Sequence, residues 1–214
     1  MQPWAVEYGT FWALEPSRSL PPILPAQVDV DFEEVGPHDT LALADAMNLP
    51  TQEIVHQRLK SGRRCFCSKA ANKIVTYGWV TFGIEHVGEL ERDFHLNDDE
   101  AYVWDCSTIP SWRKKGCYST LLSHILYKLH EEKVPRIWIG ASRQNRPSIQ
   151  GIANAGFQWV LDLTYRRFYR FTLLWFQDAP GAIPSLLTAA YRILLNNHEK
   201  RIGNLVIGYK TNNK

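Results

Sequence analysis

Residues 100–119 read Glu-Ala-Tyr-Val-Trp-Asp-Cys-Ser-Thr-Ile-Pro-Ser-Trp-Arg-Lys-Lys-Gly-Cys-Tyr-Ser, an apolar run that ends in a basic turn with one glycine. Beyond the turn, Tyr118, Leu121, Leu122, Ile125, Leu126 and Leu129 recur at the spacing of one helical stripe, with Lys128, Glu131 and Glu132 on the other face and Pro135 past the end. Residues 136–141, Arg-Ile-Trp-Ile-Gly-Ala, then have the β-branched and aromatic character of a second strand. This order predicts a strand–helix–strand unit with parallel strands and a right-handed crossover. A ligand belongs at the carboxyl end of the first strand, where the basic turn lies. The first amides of a helix have no intrahelical partner and sit at the positive end of its dipole, so they suit a phosphate. Arg113, Lys114 and Lys115 add positive charge at the same place. On these residues alone, a capped basic turn with no ligand fits equally well.

Two common phosphate loops are excluded. A P-loop places its lysine after a second glycine, whereas Lys114 and Lys115 precede the only glycine here. A dinucleotide fingerprint requires three glycines. The turn instead resembles the acyl-CoA loop of the GNAT superfamily of N-acetyltransferases, written [RQ]-x-x-G-x-[GA]. It reads Arg113-Lys114-Lys115-Gly116-Cys117-Tyr118, with Pro110 ahead of it. The family's downstream N-x-x-[SA] and G-F signatures are matched by Asn145…Ser148 and Gly156-Phe157. The resemblance covers residues 28–171 in outline, with its strong motifs in 100–157. Tyr118 departs from it, standing where the family has a small residue; its place in the stripe predicts a ring turned into the core.

The resemblance implies an α/β chain built on a central mixed β-sheet flanked by helices, with a C-terminal helix as an extension. It also implies direct acyl transfer from acetyl-CoA, a co-substrate, to the primary amine of a small molecule or amino acid. The backbone of Cys106, Ser107 and Thr108 is expected to pair with the pantetheine arm, and Arg113, Lys114, Lys115, Gly116, Cys117, Tyr118 and Ser119 to hold the pyrophosphate. Asn145 is expected on the pantetheine or adenosine side. Ser148 is either a further contact or a helix cap. The amine's proton needs an acceptor. Asp105 is the first choice, because aspartate is disfavoured within a strand; a structural carboxylate paired with a neighbouring strand's arginine or backbone is the alternative. Glu100 is the second choice, and His86 and His95 follow. The tyrosine that family members often place four residues before the Gly of G-F is Ile152 here, leaving Tyr165 or Tyr118 to supply a proton to the departing thiol. A longer acyl chain delivered by CoA or a carrier protein, or a non-catalytic acyl-CoA-binding module, are the competing readings.

Composition agrees with a globular enzyme. The chain has 214 residues, 8 of them Trp, and its net charge of +2 is too small to argue for nucleic acid. No apolar run approaches bilayer length, the start lacks a secretory pattern, and a cytoplasmic protein with no membrane partner is expected. Cys65 and Cys67 should face one side of a strand as buried thiols, with no metal implied. Cys117, at a helix start beside lysines, is expected to have a lowered pKa. Residues 1–26 read as a proline-rich irregular arm, 27–175 as the transferase domain and 176–214 as an extension. Strands are expected over 28–35, 64–70 and 73–82, with Ala71-Asn72 as a hairpin turn. Helices are expected over 40–47, 51–59 and 147–155, an edge strand over 86–94, and strands over 157–163 and 166–175. A helix over 184–196, covering a sheet face, closing the acceptor pocket or forming a homodimer contact, precedes a last strand over 205–209.

Overall fold

The computed structural model describes residues 4–16, 20–196 and 199–209. Residues 1–3 and 17–19 of the expected arm, and 197–198 and 210–214 of the expected extension, lie outside them. The chain runs β1 (Trp4–Leu14), β2 (Asp31–Glu34), α1 (Thr40–Ala46), α2 (Glu53–Lys60), β3 (Arg64–Ala70), β4 (Lys73–Phe82), β5 (Ile84–Val87) and β6 (Arg92–His95). It continues with β7 (Ala101–Thr108), α3 (Cys117–Glu131), β8 (Ile137–Ser142), α4 (Arg146–Asn154), β9 (Gln158–Phe168), β10 (Phe171–Asp178), α5 (Pro184–Leu194), β11 (Lys200–Ile202) and β12 (Leu205–Tyr209). Ten strands form one mixed sheet in the order β11-β12-β10-β9-β1-β8-β7-β4-β3-β2. β7 and β8 are its parallel pair, as the strand–helix–strand reading requires.

The sequence order resolves the local elements well. β3 and β4 have the expected bounds, and Ala71 and Asn72 both take positive φ (46° and 62°), as a two-residue hairpin turn demands. Cys65 and Cys67 are both buried in the cluster that α1 and α2 close over β3 and β4. α3 buries Leu121, Leu122, Ile125, Leu126 and Leu129 on one sheet face. α5 buries Leu186, Ala189, Ala190, Ile193 and Leu194 on the other face, against β9, β10 and β12, so the C-terminal helix does cover the sheet.

Three expectations require correction. Most of the described N-terminal arm is not irregular: β1 lies inside the sheet, antiparallel to both β8 and β9. Its aromatic and β-branched residues find two strand neighbours, and Phe11 stacks on Trp138 at 5.0 Å. The edge strand expected over 86–94 is instead a hairpin of β5 and β6 in a separate two-stranded sheet, turned by Glu91 at φ 49°. The break expected after Leu163 falls later, at Tyr169 (φ 51°), because Arg167 is a buried strand residue paired with Glu91 at 3.2 Å.

Candidate active site

β7 and β8 pair only from Ala101↔Ile137 to Val103↔Ile139 and then part. Trp104 to Thr108 keep β4 on one side and lose β8 on the other, leaving alternate backbone N–H and C=O groups without a strand partner. A bulge marks the parting. Tyr77 faces Ser107 and Trp79 faces Trp104, so Gly78 stands opposite both Asp105 and Cys106, and Asp105 takes φ 42°. A side chain at Gly78 would put its Cβ 2.8 Å from Cys106 Sγ, so glycine is what lets the bulge close on β4. β1 holds the outer edge of β8 through Thr10, whose hydroxyl donates to the Ala141 carbonyl at 3.3 Å.

The cleft between the parted strands has a volume of about 940 Å³ and passes through the sheet. On the α3–α4 side it is lined by Tyr118, Asn145 and Ser148. On the hairpin side Phe11, Leu90, Phe94 and Tyr102, all buried in the core under α5, form its wall.

The basic turn closes the α3 side. Gly116 is the N-cap of α3 at φ 78°, and Lys114 also takes positive φ (63°). Arg113 Nε donates to the Thr108 carbonyl at 3.1 Å, fastening the turn to the end of β7. Lys115 Nζ sits 4.5 Å from the Trp112 ring centre. Among the described residues, the backbone amides of Lys114 through Ser119 have no backbone hydrogen-bond partner. These open amides and the open edge of β7 fit a ligand that carries both a diphosphate and an extended amide chain. Gly116, however, does not turn its bare Cα toward that space. A Cβ there would meet Ala26 Cα and the Pro25 carbonyl at 3.4 Å, because residues 24–27 cross α3, with Gln27 N–H donating to the Lys115 carbonyl at 2.8 Å.

The structure brings some of the expected side chains together and not others. Asn145, not Ser148, caps α4: its Oδ1 accepts the Ser148 amide at 3.2 Å. Ser148 Oγ meets the Tyr118 hydroxyl at 3.0 Å. The Tyr118 ring packs against the core beneath α3, as expected, on the side where Gly151 of α4 leaves space, and Tyr118 also lines the cleft. Burial pushes that phenol up. Asp105 lines the cleft and pairs with Arg58 of α2 at 2.5 Å. Arg58 in turn lies 4.6 Å from the Trp104 ring centre and 5.0 Å from that of Trp79, which holds the pair in place.

Glu100 lies away from the cleft at the start of β7, 2% exposed. It is enclosed by Asn97, Arg136, Trp138 and Arg192 at 2.9–3.2 Å, an arrangement that does not match the expected role of a base. Tyr165 is also outside the cleft. Its hydroxyl donates to Glu91 at 3.1 Å, and burial, then the Glu91 charge, pushes it up to about 12. His86 is at the rim, bonded to Asp93 at 2.7 Å, and His95 is an exposed residue of β6. Ile152 is fully buried beneath α3 and α4. The expected lowering of the Cys117 thiol is corrected: burial outweighs its own backbone amide and Lys115, and the thiol is pushed up.

Among the cleft residues that escaped the sequence reading are Glu7, Arg58, Glu85, Glu89 and Tyr102. Tyr102 is 6% exposed and its hydroxyl has no partner among the described residues. A Cβ on Gly140, just past the last β7–β8 pair, would lie 3.4 Å from that hydroxyl. Alternation with Trp104 was the available signal for Tyr102. Glu7 had none once β1 was read as irregular.

Comparison with known proteins agrees with this geometry. Residues 37–157, more than half of the chain, match the sequence profile of the Acetyltransferase (GNAT) family. No curated protein matches the chain in sequence. Among solved structures, a GNAT-family acetyltransferase from Colwellia psychrerythraea is similar at TM-score 0.55 and 14% identity, over 77% of this chain and 57% of its own. A GCN5-related N-acetyltransferase from Sphaerobacter thermophilus is similar at TM-score 0.57 and 12% identity, over 84% of this chain and 54% of its own. The chain thus spans little more than half of the length of these two structures, and at such identities they speak to the fold alone. The matched profile, the mixed sheet that parts between β7 and β8, and the open amides of α3 together place the chain in the GNAT acetyltransferase family.

Proposed function

We propose that the chain transfers an acetyl group from acetyl-CoA to a primary amine. The observation that carries this reading is the parting of β7 from β8 beyond Val103 and Ile139, directly beside the unpartnered amides of Lys114 to Ser119. Bound at that place, the thioester supplies an acyl carbon activated for attack. The α3 amides receive the diphosphate, and the free edge of Cys106 to Thr108 pairs with the amide-bearing arm. An amine reaching the cleft from the hairpin side meets Asp105 at the bulge. Its nitrogen bonds to the acyl carbon and the C–S bond breaks. One proton leaves the nitrogen for Asp105, directly or through water, and one ends on the departing sulfur.

Tyr118 is the proton donor this geometry supports. Gly151 leaves room beside α4 for its ring, so the hydroxyl enters the cleft from the first turn of α3, next to Ser148. Tyr165 is held away by Glu91. The test is a panel of primary amines incubated with acetyl-CoA, read by thiol release and by the mass of the product. Amine-dependent release with a gain of one acetyl group is expected. Acetyl-CoA binding without release for any amine supports the non-catalytic alternative instead.

A further inference from the structure

The hairpin side of the cleft carries more negative charge than its own cations neutralise. Four carboxylates line the cleft: Glu7 on β1, Glu85 and Glu89 on the hairpin, and Asp105 at the bulge. Glu85 is taken by Arg63 through contacts of 2.7 and 3.0 Å, and Asp105 by Arg58. Glu7 and Glu89 have no partner among the described residues, and Arg58 is the one lysine or arginine among the lining residues. His86 at the rim is bonded to Asp93. A second, independent feature points into the same space: the Tyr102 hydroxyl, on a side chain more than nine-tenths buried, has no partner. The wall between these groups is apolar, formed by Phe11, Leu90 and Phe94. Glu7 stands outside the residues that match the family profile, so this feature belongs to the chain's own N-terminal strand.

We infer that the acceptor is a dibasic amine, which carries a second cation a short alkyl spacer away from the nitrogen that is acylated. The distal cation sits between Glu7 and Glu89, within reach of the Tyr102 oxygen as an acceptor, and the spacer lies along Phe11, Leu90 and Phe94. Unneutralised carboxylates at the open side of a cleft attract a cation and repel an acceptor that carries a carboxylate. This inference rests on the transferase reading and narrows it to a substrate class.

The test compares three amines of equal length, diaminobutane, butylamine and aminobutyrate, with acetyl-CoA binding measured separately by calorimetry. Diaminobutane is expected to have the lowest KM and aminobutyrate the highest. The ratio of the KM for butylamine to that for diaminobutane should fall about fivefold in each of Glu7→Gln and Glu89→Gln. Both side chains are exposed, and thermal unfolding of each variant checks that the fold is kept. Higher salt should shrink the same ratio in the parent protein. Equal KM values for diaminobutane and butylamine, or a preference that survives both substitutions, would overturn the dibasic acceptor and leave the transferase reading standing. Failure of the parent protein to bind acetyl-CoA would overturn both.

Discussion

Replacing Gly151 with alanine tests the placement of Tyr118 most sharply, because two opposing effects can be separated. In an isolated helix the change is favourable, since glycine in a helix interior costs roughly 0.5–1 kcal/mol relative to alanine. Here the new methyl would stand 2.4 Å from Tyr118 Cδ1 and 2.6 Å from Cε1, so the ring must move. Overpacking of this kind costs about 1–3 kcal/mol. The net expectation is a destabilisation of up to about 2 kcal/mol, and each kcal/mol lowers Tm by about 2–4 °C in a chain of this size. With Tyr118→Ala as background the ring is gone, and Gly151→Ala should then stabilise by roughly 0.5–1 kcal/mol. The sign therefore reverses between the two backgrounds, and a double-mutant cycle from denaturant melts should give a coupling of about 1–3 kcal/mol. The single variant should also lose turnover, because the displaced hydroxyl no longer meets Ser148 in the cleft. A Gly151→Ala protein more stable than its parent, with no coupling to Tyr118, would show that the ring does not occupy the space beside α4.

Other outcomes follow from the same geometry. Asp105→Asn should reduce turnover roughly 10²–10⁴-fold if the carboxylate accepts the amine's proton, while Tm shifts little, because a half-open ion pair contributes at most about 1 kcal/mol. A loss of turnover that only tracks the folded fraction would make Asp105 simply the partner of Arg58. Cys117 is 1% exposed and its thiol is pushed up by burial, so iodoacetamide at neutral pH should label it far more slowly than in the unfolded chain, as read by peptide mass. Rapid labelling of the native protein would contradict that burial. Arg64 holds Glu132 below the usual carboxylate range. A folded-state pKa below the unfolded one gives stability that is complete above the ordinary range and lost as pH falls through the depressed value. Arg64→Gln should therefore flatten the decline of Tm on acidification, and an unchanged slope would refute the linkage.

Much of this was legible in the sequence, for reasons that can be stated. The stripe on α3, the hairpin turn at Ala71-Asn72 and the motif around Gly116 are local patterns, and each folds as its neighbours dictate. β1 was not legible, because its stability comes from partners more than 120 residues away, such as Ala141, whose carbonyl accepts from Thr10. Prolines on either side suggested irregular chain, yet a strand with two antiparallel neighbours does not depend on its flanks. The junction at Thr164-Tyr165 misled in the same way. Two polar-tipped residues between apolar runs read as a turn, whereas β9 continues through them to Phe168, where Arg167 meets Glu91 on a distant hairpin. At the site, the loop could be read as a motif, but the separation of Glu100 from Asp105 could not. Glu100 immediately precedes β7 and Asp105 lies within it, and what encloses Glu100 is Arg136, Trp138 and Arg192, all distant in the chain. The exchange that places Tyr118 beside Gly151 was likewise invisible, since each residue taken alone reads as ordinary for its helix.

Whether the open amides of α3 receive the diphosphate of acetyl-CoA is best tested with Ser119→Glu. Ser119 lies in the first turn of α3, where a carboxylate favours the helix by about 0.3–1 kcal/mol and repels a diphosphate at the same amides. Calorimetric titration of parent and variant with acetyl-CoA, alongside their melting curves, reads both effects. The expected result is one molecule bound by the parent, at least a tenfold (about 1.4 kcal/mol) weaker affinity in the variant, and a variant Tm equal to or above that of the parent. Equal affinity in a folded variant, or no binding by the parent, would contradict an acyl-CoA site between β7 and β8.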